Sequence, residues 1–415
     1  MGPLKLYYDV RDIFRAPRLG LSGKKIWIFM TGNLAGFILY WAFCYLSLAL
    51  AGIPFSTALA NYGLYPCLYG TESADWYVWA VFFIGVEAWI LAIYLACTAV
   101  SRVTLKQLKG NDFFSSGDAW NYVHKHWHPI VFAPIAIGLI IAFFLFFAGF
   151  FALFGKISYV GEFLFAIPYL FYFFGSVFTV YTFFVLIVSL HYTPAIVGTY
   201  EEDTMGTVFQ SYSIAWSQPW RVIAYHIVLV PLAIIAIYFF GWFWSVGYEL
   251  VNYVFGCEWF MGSKLSGLVS YATSIVCPDW LCQCLACCLS FFNCFVQTDA
   301  PANLSGTETV AGVILAVSMF FIGLSVISYG LSVISVGETL MFVIFKKRSD
   351  DDNLLERKDE DELEEDEDDF NFDDDDLDNE DDESDDQNES EEIEDSKGDG
   401  DDEDDDDSGD DSSEE

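Results

Sequence analysis

A single acidic side chain stands in the middle of an otherwise apolar stretch of this chain. Glu87 lies about halfway along the segment 76–100. An ionised carboxylate at that depth of a bilayer is costly, so we expect it to be protonated, paired or turned towards a polar cavity. Two interpretations stay open. One is a site for a proton or cation; the other is a protonated carboxyl that bonds Asn33 or Tyr94 and serves helix packing.

Histidines are the second group of residues that could do chemistry. His124, His126 and His128 stand two residues apart, which spreads them around a helix instead of pairing them at the i, i+4 spacing that shares a metal. His191 and His226 fall near the same ends of neighbouring apolar segments, so a haem or metal ion shared by both is one interpretation. The favoured interpretation is that these are interfacial histidines among tryptophans. The sequence therefore predicts no metal and no cofactor. Glu338 is interpreted as an interfacial residue near one end of the last apolar segment.

Ten cysteines divide into two groups. Cys44 and Cys97 fall inside apolar segments and are interpreted as small apolar fillers. The other eight are all predicted on the extracytoplasmic side, where an even number indicates disulfides that tie a large loop and could include the first loop through Cys67. A metal bound by the cluster within 282–288 is the less favoured alternative. The disulfide candidates are Cys67, Cys257, Cys277, Cys282, Cys284, Cys287, Cys288 and Cys294.

The elements that must position these groups are membrane-spanning helices. A bilayer core needs roughly 20 apolar helical residues to cross it, and six segments meet that test, at 26–50, 76–100, 130–154, 162–190, 222–246 and 310–345. Fourteen Lys and Arg residues fall on one side of these spans and only Lys156 and Lys264 on the other, which predicts that both termini are cytoplasmic. A seventh apolar run at 279–296 is short and follows Pro278, so it is interpreted as an extracytoplasmic helix or a re-entrant piece.

Two short amphipathic stretches precede the third and fifth spans. Each ends in a proline, Pro129 or Pro219, at the start of the span, and the repeated layout is typical of proteins with a duplicated core. We expect these stretches to lie in the headgroup zone with their aromatic side chains at the interface. The residues assigned to the interface are Trp120, Trp127, Trp216, Trp220 and Arg221.

The end of the chain is physically different from the rest. After Ser349 there are 42 acidic residues and three basic ones, so this segment carries almost all of the net charge of -40. So few apolar side chains cannot offset the conformational entropy of folding, and the segment is predicted to be a disordered tail. Its carboxylates would attract divalent cations or basic proteins, although a passive brush is an equal alternative.

Nucleotide-binding, zinc-protease and nucleophile-elbow motifs are absent from the sequence, and nothing in it indicates a partner of nucleic acid. Residues 8–18 and the run from Ser328 to Lys347 resemble uncharacterised multi-pass proteins of bacterial inner membranes. The stretch 207–221 is similar to the membrane domains that accompany some glycerophosphodiesterases. This resemblance implies a helical bundle in a bacterial inner membrane and brings no catalytic residues with it.

The sequence thus predicts an all-α polytopic membrane bundle of about six spans, with interfacial helices and an acidic C-terminal tail. Its parts are a basic cytoplasmic segment at 1–25, a transmembrane domain at 26–348 with a Cys-rich loop at 247–308, and the tail at 349–415. The favoured function is a non-enzymatic membrane scaffold whose tail recruits basic partners or cations. The alternative is a transporter or lipid-handling membrane protein that uses Glu87.

Overall fold

Every regular element of the described chain is helical. The structure is a computed structural model that describes residues 5–68, 75–277 and 304–358, and these ranges contain no strand. A 3-10 helix at Val10–Arg15 precedes twelve α-helices. They are α1 Ala16–Gly20, α2 Gly23–Leu50, α3 Phe55–Tyr62, α4 Trp76–Lys109, α5 Ser116–Lys125, α6 Trp127–Phe154, α7 Val160–Ala166, α8 Tyr169–Tyr200, α9 Thr204–Ser217, α10 Pro219–Phe255, α11 Ser263–Val276 and α12 Gly306–Ser349.

Six of these helices, α2, α4, α6, α8, α10 and α12, are long and apolar enough to cross a membrane. The prediction of a polytopic helical membrane protein is therefore confirmed. The fourth span differs from its predicted bounds. Pro168 separates the short helix α7 from α8, and α8 then continues to Tyr200. A proline cannot donate a backbone hydrogen bond, which explains the break at this point.

Small residues bring α2 and α4 together. A Cβ atom added at Gly32 would lie 2.8 Å from Ala96 Cβ, and one at Gly36 would lie 2.9 Å from Ala92 Cβ. In a bilayer, helices associate through such close backbone approach because lipid tails are as apolar as the side chains. The spacing of glycine and alanine therefore fixes the contact between these two spans.

Helix α12 is buried along its second half and forms the centre of the bundle. Its hydroxyl groups bond neighbouring elements: Ser332 donates to the carbonyl of Gly20 at 2.9 Å, and Ser335 donates to that of Cys97 at 3.1 Å. The Thr339 hydroxyl lies 2.9 Å from Ser101 Oγ. These satisfied polar contacts hold α12 against α1 and α4.

Both ends of the described chain lie together, at what we call the termini end of the bundle, formed by residues 5–20 and 346–358. The hydroxyl of Tyr8 donates to Asn353 at 2.7 Å, and Arg348 Nε donates to the carbonyl of Tyr8 at 2.7 Å. Leu354 is buried in the core. The first residues of the predicted tail therefore pack on the bundle; residues 359–415 lie outside the described ranges.

The amphipathic stretches are helices, α5 and α9, and part of each apolar face packs inside the protein. Val123 of α5 and Val208 of α9 are buried in the main core. Trp120 and Trp127 belong to different helices, because α5 ends at Lys125 and Trp127 begins α6. Neighbouring helices, and not lipid headgroups, bury these two valines.

Candidate functional site

Three side chains with metal-ligand chemistry converge from three different spans. His191 of α8, His226 of α10 and Glu338 of α12 each place one ligand atom within 4.8 Å of the other two. The two imidazole rings stand edge to face, with their centroids 5.4 Å apart. We call this trio the His–His–Glu cluster.

Backbone carbonyl groups orient both rings of the cluster. The Nδ1 atom of His191 lies 2.9 Å from the carbonyl oxygen of Ile187, and that of His226 lies 2.8 Å from the carbonyl oxygen of Val222. An N–H at Nδ1 that donates to the carbonyl leaves the lone pair on Nε2, which is the arrangement found for most histidine metal ligands. Within the described chain, His226 Nε2 is buried and makes no hydrogen bond.

Glu338 supplies the acid of the cluster from inside the bundle. Its side chain is only 8 % exposed, so the interpretation of Glu338 as an interfacial residue is wrong. The reason is tertiary: α12 continues to Ser349 and is enclosed by other helices over this stretch. A buried carboxylate needs a proton, a counter-charge or a metal ion.

Tyr192 fixes the inner side of the cluster. Its ring is fully buried and lies edge-on to His226, with centroids 5.7 Å apart. Its hydroxyl donates to the sulfur of Met341 at 3.2 Å, which leaves the ring little freedom to turn. The imidazole of His226 is therefore held between a backbone carbonyl and a rigid aromatic wall.

The outer side of the cluster opens to the surface of the bundle. His191 is exposed and His226 is half-buried. The neighbouring large side chains on this surface are apolar and exposed, namely Ile187, Ile223 and Ile227. In a membrane such a surface faces lipid, so the cluster is accessible from the acyl region next to the termini end.

Depth along the helices is the sequence signal that could have found this cluster. His191 lies nine residues before the end of α8, His226 lies seven after the start of α10, and Glu338 lies eleven before the end of α12. At about 1.5 Å per residue, all three are roughly 10–16 Å from the termini end. The sequence indicated the two histidines as neighbours, and the acid was missed because it was assigned to the interface.

The structure separates the two residues of the predicted intramembrane site. Glu87 is exposed on the outside of α4 and has no hydrogen bond or ion pair to any residue of the described ranges. Asn33 is buried, and its amide donates to the carbonyl of Phe29 at 2.9 Å. The hydroxyl of Tyr94 donates to the carbonyl of Ser189. Neither partner suggested for Glu87 therefore bonds it.

The remaining predicted residues are distributed as follows. Trp216 and Trp220 are exposed, Trp127 less so, and Trp120 and Arg221 are half-buried at the termini end. Cys67 and Cys257 are free thiols, contrary to the disulfide prediction, and no disulfide joins two residues of the described ranges. Cys277, the last residue of the second described range, is disulfide-bonded as predicted, whereas Cys282, Cys284, Cys287, Cys288 and Cys294 lie outside the described residues.

Comparison with known proteins adds no family. A scan of the chain against protein-family models and searches of the curated proteins and of the solved structures find no match. The class that the fold defines is a polytopic integral membrane protein, and its function has to be argued from the geometry of its sites.

Proposed function

We propose that this chain is a metal-binding, lipid-handling membrane protein, with a divalent transition-metal ion held by His191, His226 and Glu338. The convergence of three ligand atoms within 4.8 Å of one another carries the proposal. In a tetrahedral site with bonds of about 2.0–2.2 Å, ligand atoms lie roughly 3.3–3.5 Å apart. Small side-chain rotations therefore close the cluster around an ion.

The donor set favours zinc over the alkaline-earth ions. Two imidazole nitrogens and one carboxylate oxygen are the ligands of many zinc sites, whereas Ca²⁺ and Mg²⁺ take sets made of oxygen. Three protein ligands leave a fourth position open, as in zinc sites that bind water or a substrate. The carboxylate of Glu338 cancels part of the charge of the ion inside the bundle.

The surroundings of the open position support lipid handling over a scaffold role. The cluster is closed on the side of Tyr192 and exposed on the side of His191. Ile223 and Ile227 border the exposed side and face lipid. A ligand that reaches the metal from this side comes from the bilayer, and an oxygen of a lipid headgroup is the chemistry that zinc would accept there.

Cobalt substitution tests the metal site directly. The acidic tail also attracts cations, but carboxylates and water give octahedral Co²⁺, whereas the cluster gives a four-coordinate ion with intense visible absorption. Purified protein in nanodiscs, stripped of metal and titrated with Co²⁺, should show one such ion per chain. The intense absorption should disappear in His226→Ala and Glu338→Gln.

His124→Ala is the matched control, because this histidine is exposed on α5 and lies outside the cluster. It should leave the cobalt spectrum unchanged. Wild-type protein without the intense absorption, or His226→Ala with it, would overturn the metal site.

A second experiment tests the lipid role. If Mn²⁺ at the cluster broadens the ³¹P signals of the nanodisc lipids in wild type but not in Glu338→Gln, the lipid role is supported. Zn²⁺ uptake into proteoliposomes without that broadening would indicate a transporter instead.

A scaffold is the second candidate, and the position of Glu87 favours it. This carboxyl group lies on the outer surface of α4 in mid-span with no partner in the described ranges. An acidic group facing lipid is stabilised by a polar or basic group on another membrane helix. Photo-crosslinking from position Phe83, exposed on the same helix, should capture a partner in wild type and less of it in Glu87→Gln; equal capture would exclude a role for Glu87.

We also propose that the termini end is cytoplasmic, in a bacterial inner membrane as the resemblance implies, and that the acidic tail binds basic proteins or divalent cations there. The excess of Lys and Arg on this side of the spans supports the orientation. A fluorescent protein fused to the C-terminus should fluoresce, and an alkaline phosphatase fused there should be inactive. The opposite pair of results would reverse the orientation.

A further inference from the structure

A large apolar cavity lies on the far side of the bundle from the termini end. It has a volume of 290 Å³ and is bounded by α2, α4, α10, α11 and α12. Its walls include Phe37, Trp89, Trp244, Val276 and Phe320. The hydroxyl of Tyr65, which also lines it, donates to the carbonyl of Val276 at 2.8 Å and closes one end.

The size of this cavity sets it apart from ordinary packing defects. Protein interiors are close-packed, with few voids larger than a water molecule. An engineered apolar cavity of about 150 Å³ in another protein stays dry and binds benzene. About twice that volume holds roughly a dozen carbon atoms, which is most of a lipid acyl chain.

The wall carries a polar group that has no partner within the described ranges. Thr273 of α11 lines the cavity and is 6 % exposed, and its hydroxyl makes no hydrogen bond. Leaving a buried hydroxyl unpaired is unfavourable. Asn33, the other strongly polar residue of the lining, already donates its amide to Phe29. The indole Nε1 of Trp89, also in the lining, is a second buried polar atom without a hydrogen bond in the described ranges. The cavity therefore offers apolar walls and two unsatisfied polar groups, which suits an apolar chain that carries an oxygen function.

The rim of the cavity shows where a ligand would enter. Trp244 of α10 and Ile327 of α12 line the cavity and are also exposed, 40 % and 48 % respectively. Both rim residues are apolar and belong to membrane-spanning helices, so the mouth between α10 and α12 faces lipid. The molecules present at such a mouth are membrane lipids.

We propose that this cavity binds one acyl chain of a membrane lipid, inserted between α10 and α12, with a carbonyl or hydroxyl oxygen of the lipid bonded to Thr273. The cavity and the His–His–Glu cluster share helices α10 and α12 but no residue. The cavity makes this chain a binder of individual lipid molecules, whether or not the cluster holds a metal.

Gly323 gives a direct way to fill the site. It lines the cavity, and a Cβ atom built on it meets nothing within 4 Å. We therefore expect Gly323→Phe to place a ring in the space of the ligand. Gly247→Phe is the matched control: Gly247 also has open space at its Cβ, but it is exposed on α10 and does not line the cavity.

The experiment uses full-length protein in nanodiscs that contain a phospholipid with a diazirine at the end of one acyl chain. After photolysis, mass spectrometry should find the label on cavity residues such as Met319 and Phe320. This label should be lost in Gly323→Phe and kept in Gly247→Phe. Thr273→Val should weaken labelling of the cavity residues by the phospholipid. The same variant should have less effect on labelling by a diazirine probe that is a pure hydrocarbon.

Three outcomes would overturn the proposal: label that persists on cavity residues in Gly323→Phe, label confined to outward-facing residues of the wild type, or cavity residues that crosslink only to the chain itself. The cobalt spectrum of the cluster reports whether Gly323→Phe is folded, and Gly323→Leu is the smaller filler if it is not. Because the two sites share no residue, loss of lipid labelling with an intact cobalt spectrum separates this proposal from the metal site.

Discussion

The imidazole rings of His191 and His226 stand perpendicular to one another, at 88°, on two neighbouring spans. Each ring turns its Nδ1 atom to a carbonyl oxygen of its own helix. The free sides of the rings consequently meet near Glu338. Two spans contribute imidazole rings and a third contributes a carboxyl group. No single helix could therefore form this site.

The first prediction concerns the stability of Glu338→Gln with and without metal. Without metal, a buried carboxyl has to be desolvated, so replacing it with a neutral amide should leave the melting temperature unchanged or raise it. With metal, the wild type should gain about 2.7 kcal/mol at a free ion concentration of 100 Kd, and the variant should gain much less. Thermal unfolding in a chelator and in Zn²⁺ measures both.

The wild type should therefore be no more stable than Glu338→Gln in the chelator and more stable than it in Zn²⁺. His128→Ala, at an exposed histidine outside the cluster, should follow the wild type in both. If Glu338→Gln is less stable than the wild type by the same amount with and without metal, the carboxyl serves packing and not metal binding.

The second prediction concerns a buried ion pair between α4 and the end of α8. Arg102 Nη1 lies 2.7 Å from Glu201 Oε1, and both side chains are buried. The guanidinium also lies over the ring of Tyr122, 4.4 Å from its centroid. Removing one partner leaves a buried charge uncompensated, so Glu201→Gln should lower the free energy of unfolding by about 3–5 kcal/mol.

The double variant Arg102→Met with Glu201→Gln should recover a large part of that loss, because no buried charge remains. Asp351→Asn is the control, since its ion pair with Lys347 is exposed and should leave the unfolding midpoint unchanged. Losses that simply add in the double variant would show that the two charges do not interact.

The third prediction concerns the close approach of α8 to α4 at Gly198. A Cβ atom there would lie 2.8 Å from Ser101 Cβ and 2.9 Å from the carbonyl oxygen of Thr98. The backbone oxygen cannot move aside, so Gly198→Ala should destabilise the protein by about 1–3 kcal/mol. Gly138→Ala, where the new Cβ meets nothing within 4 Å, should instead gain up to about 1 kcal/mol from helix propensity. Equal effects in thermal unfolding would contradict this contact.

The fourth prediction is a pH dependence at the start of α5. The hydroxyl and amide of Ser115 donate to Asp118 at 2.6 Å and 3.0 Å, and these bonds lower the pKa of the carboxyl below its usual value. The stabilisation is present above the pKa of the unfolded chain, about 3.9, and is lost as the pH falls through the folded value.

Asp118→Asn should therefore lower the free energy of unfolding by about 0.5–1 kcal/mol at pH 7, a small effect because water screens this exposed group. The difference from wild type should shrink towards pH 3 in melts of the detergent-solubilised protein. Ser115→Ala removes a partner of the same carboxyl and should show the same trend; a difference independent of pH would assign the effect to helix propensity alone.

The cysteines and the amphipathic helices show where prediction from sequence stopped. Spacing and sidedness suggested that Cys67 joins the disulfides, but a bond needs two sulfur atoms in contact, and Cys67 is a free thiol here. The prediction that α5 and α9 are amphipathic helices was correct. The prediction that the headgroup zone covers their apolar residues did not hold for Val123 and Val208, which are buried in the protein core. An apolar face specifies burial and does not specify what buries it.

By itself, the amino-acid sequence determined that this protein has six helices long and apolar enough to span a membrane, and where they lie apart from the bounds of the fourth. The physical reason is local: in a bilayer each stretch must satisfy its own backbone hydrogen bonds, so length and apolar composition decide the helix. Only the tertiary structure decided that Glu338 is buried beside His191 and His226 while Glu87 faces outward. Which side of a span meets another depends on small residues and hydroxyl groups that pack across helices distant in sequence, and no single span contains that information.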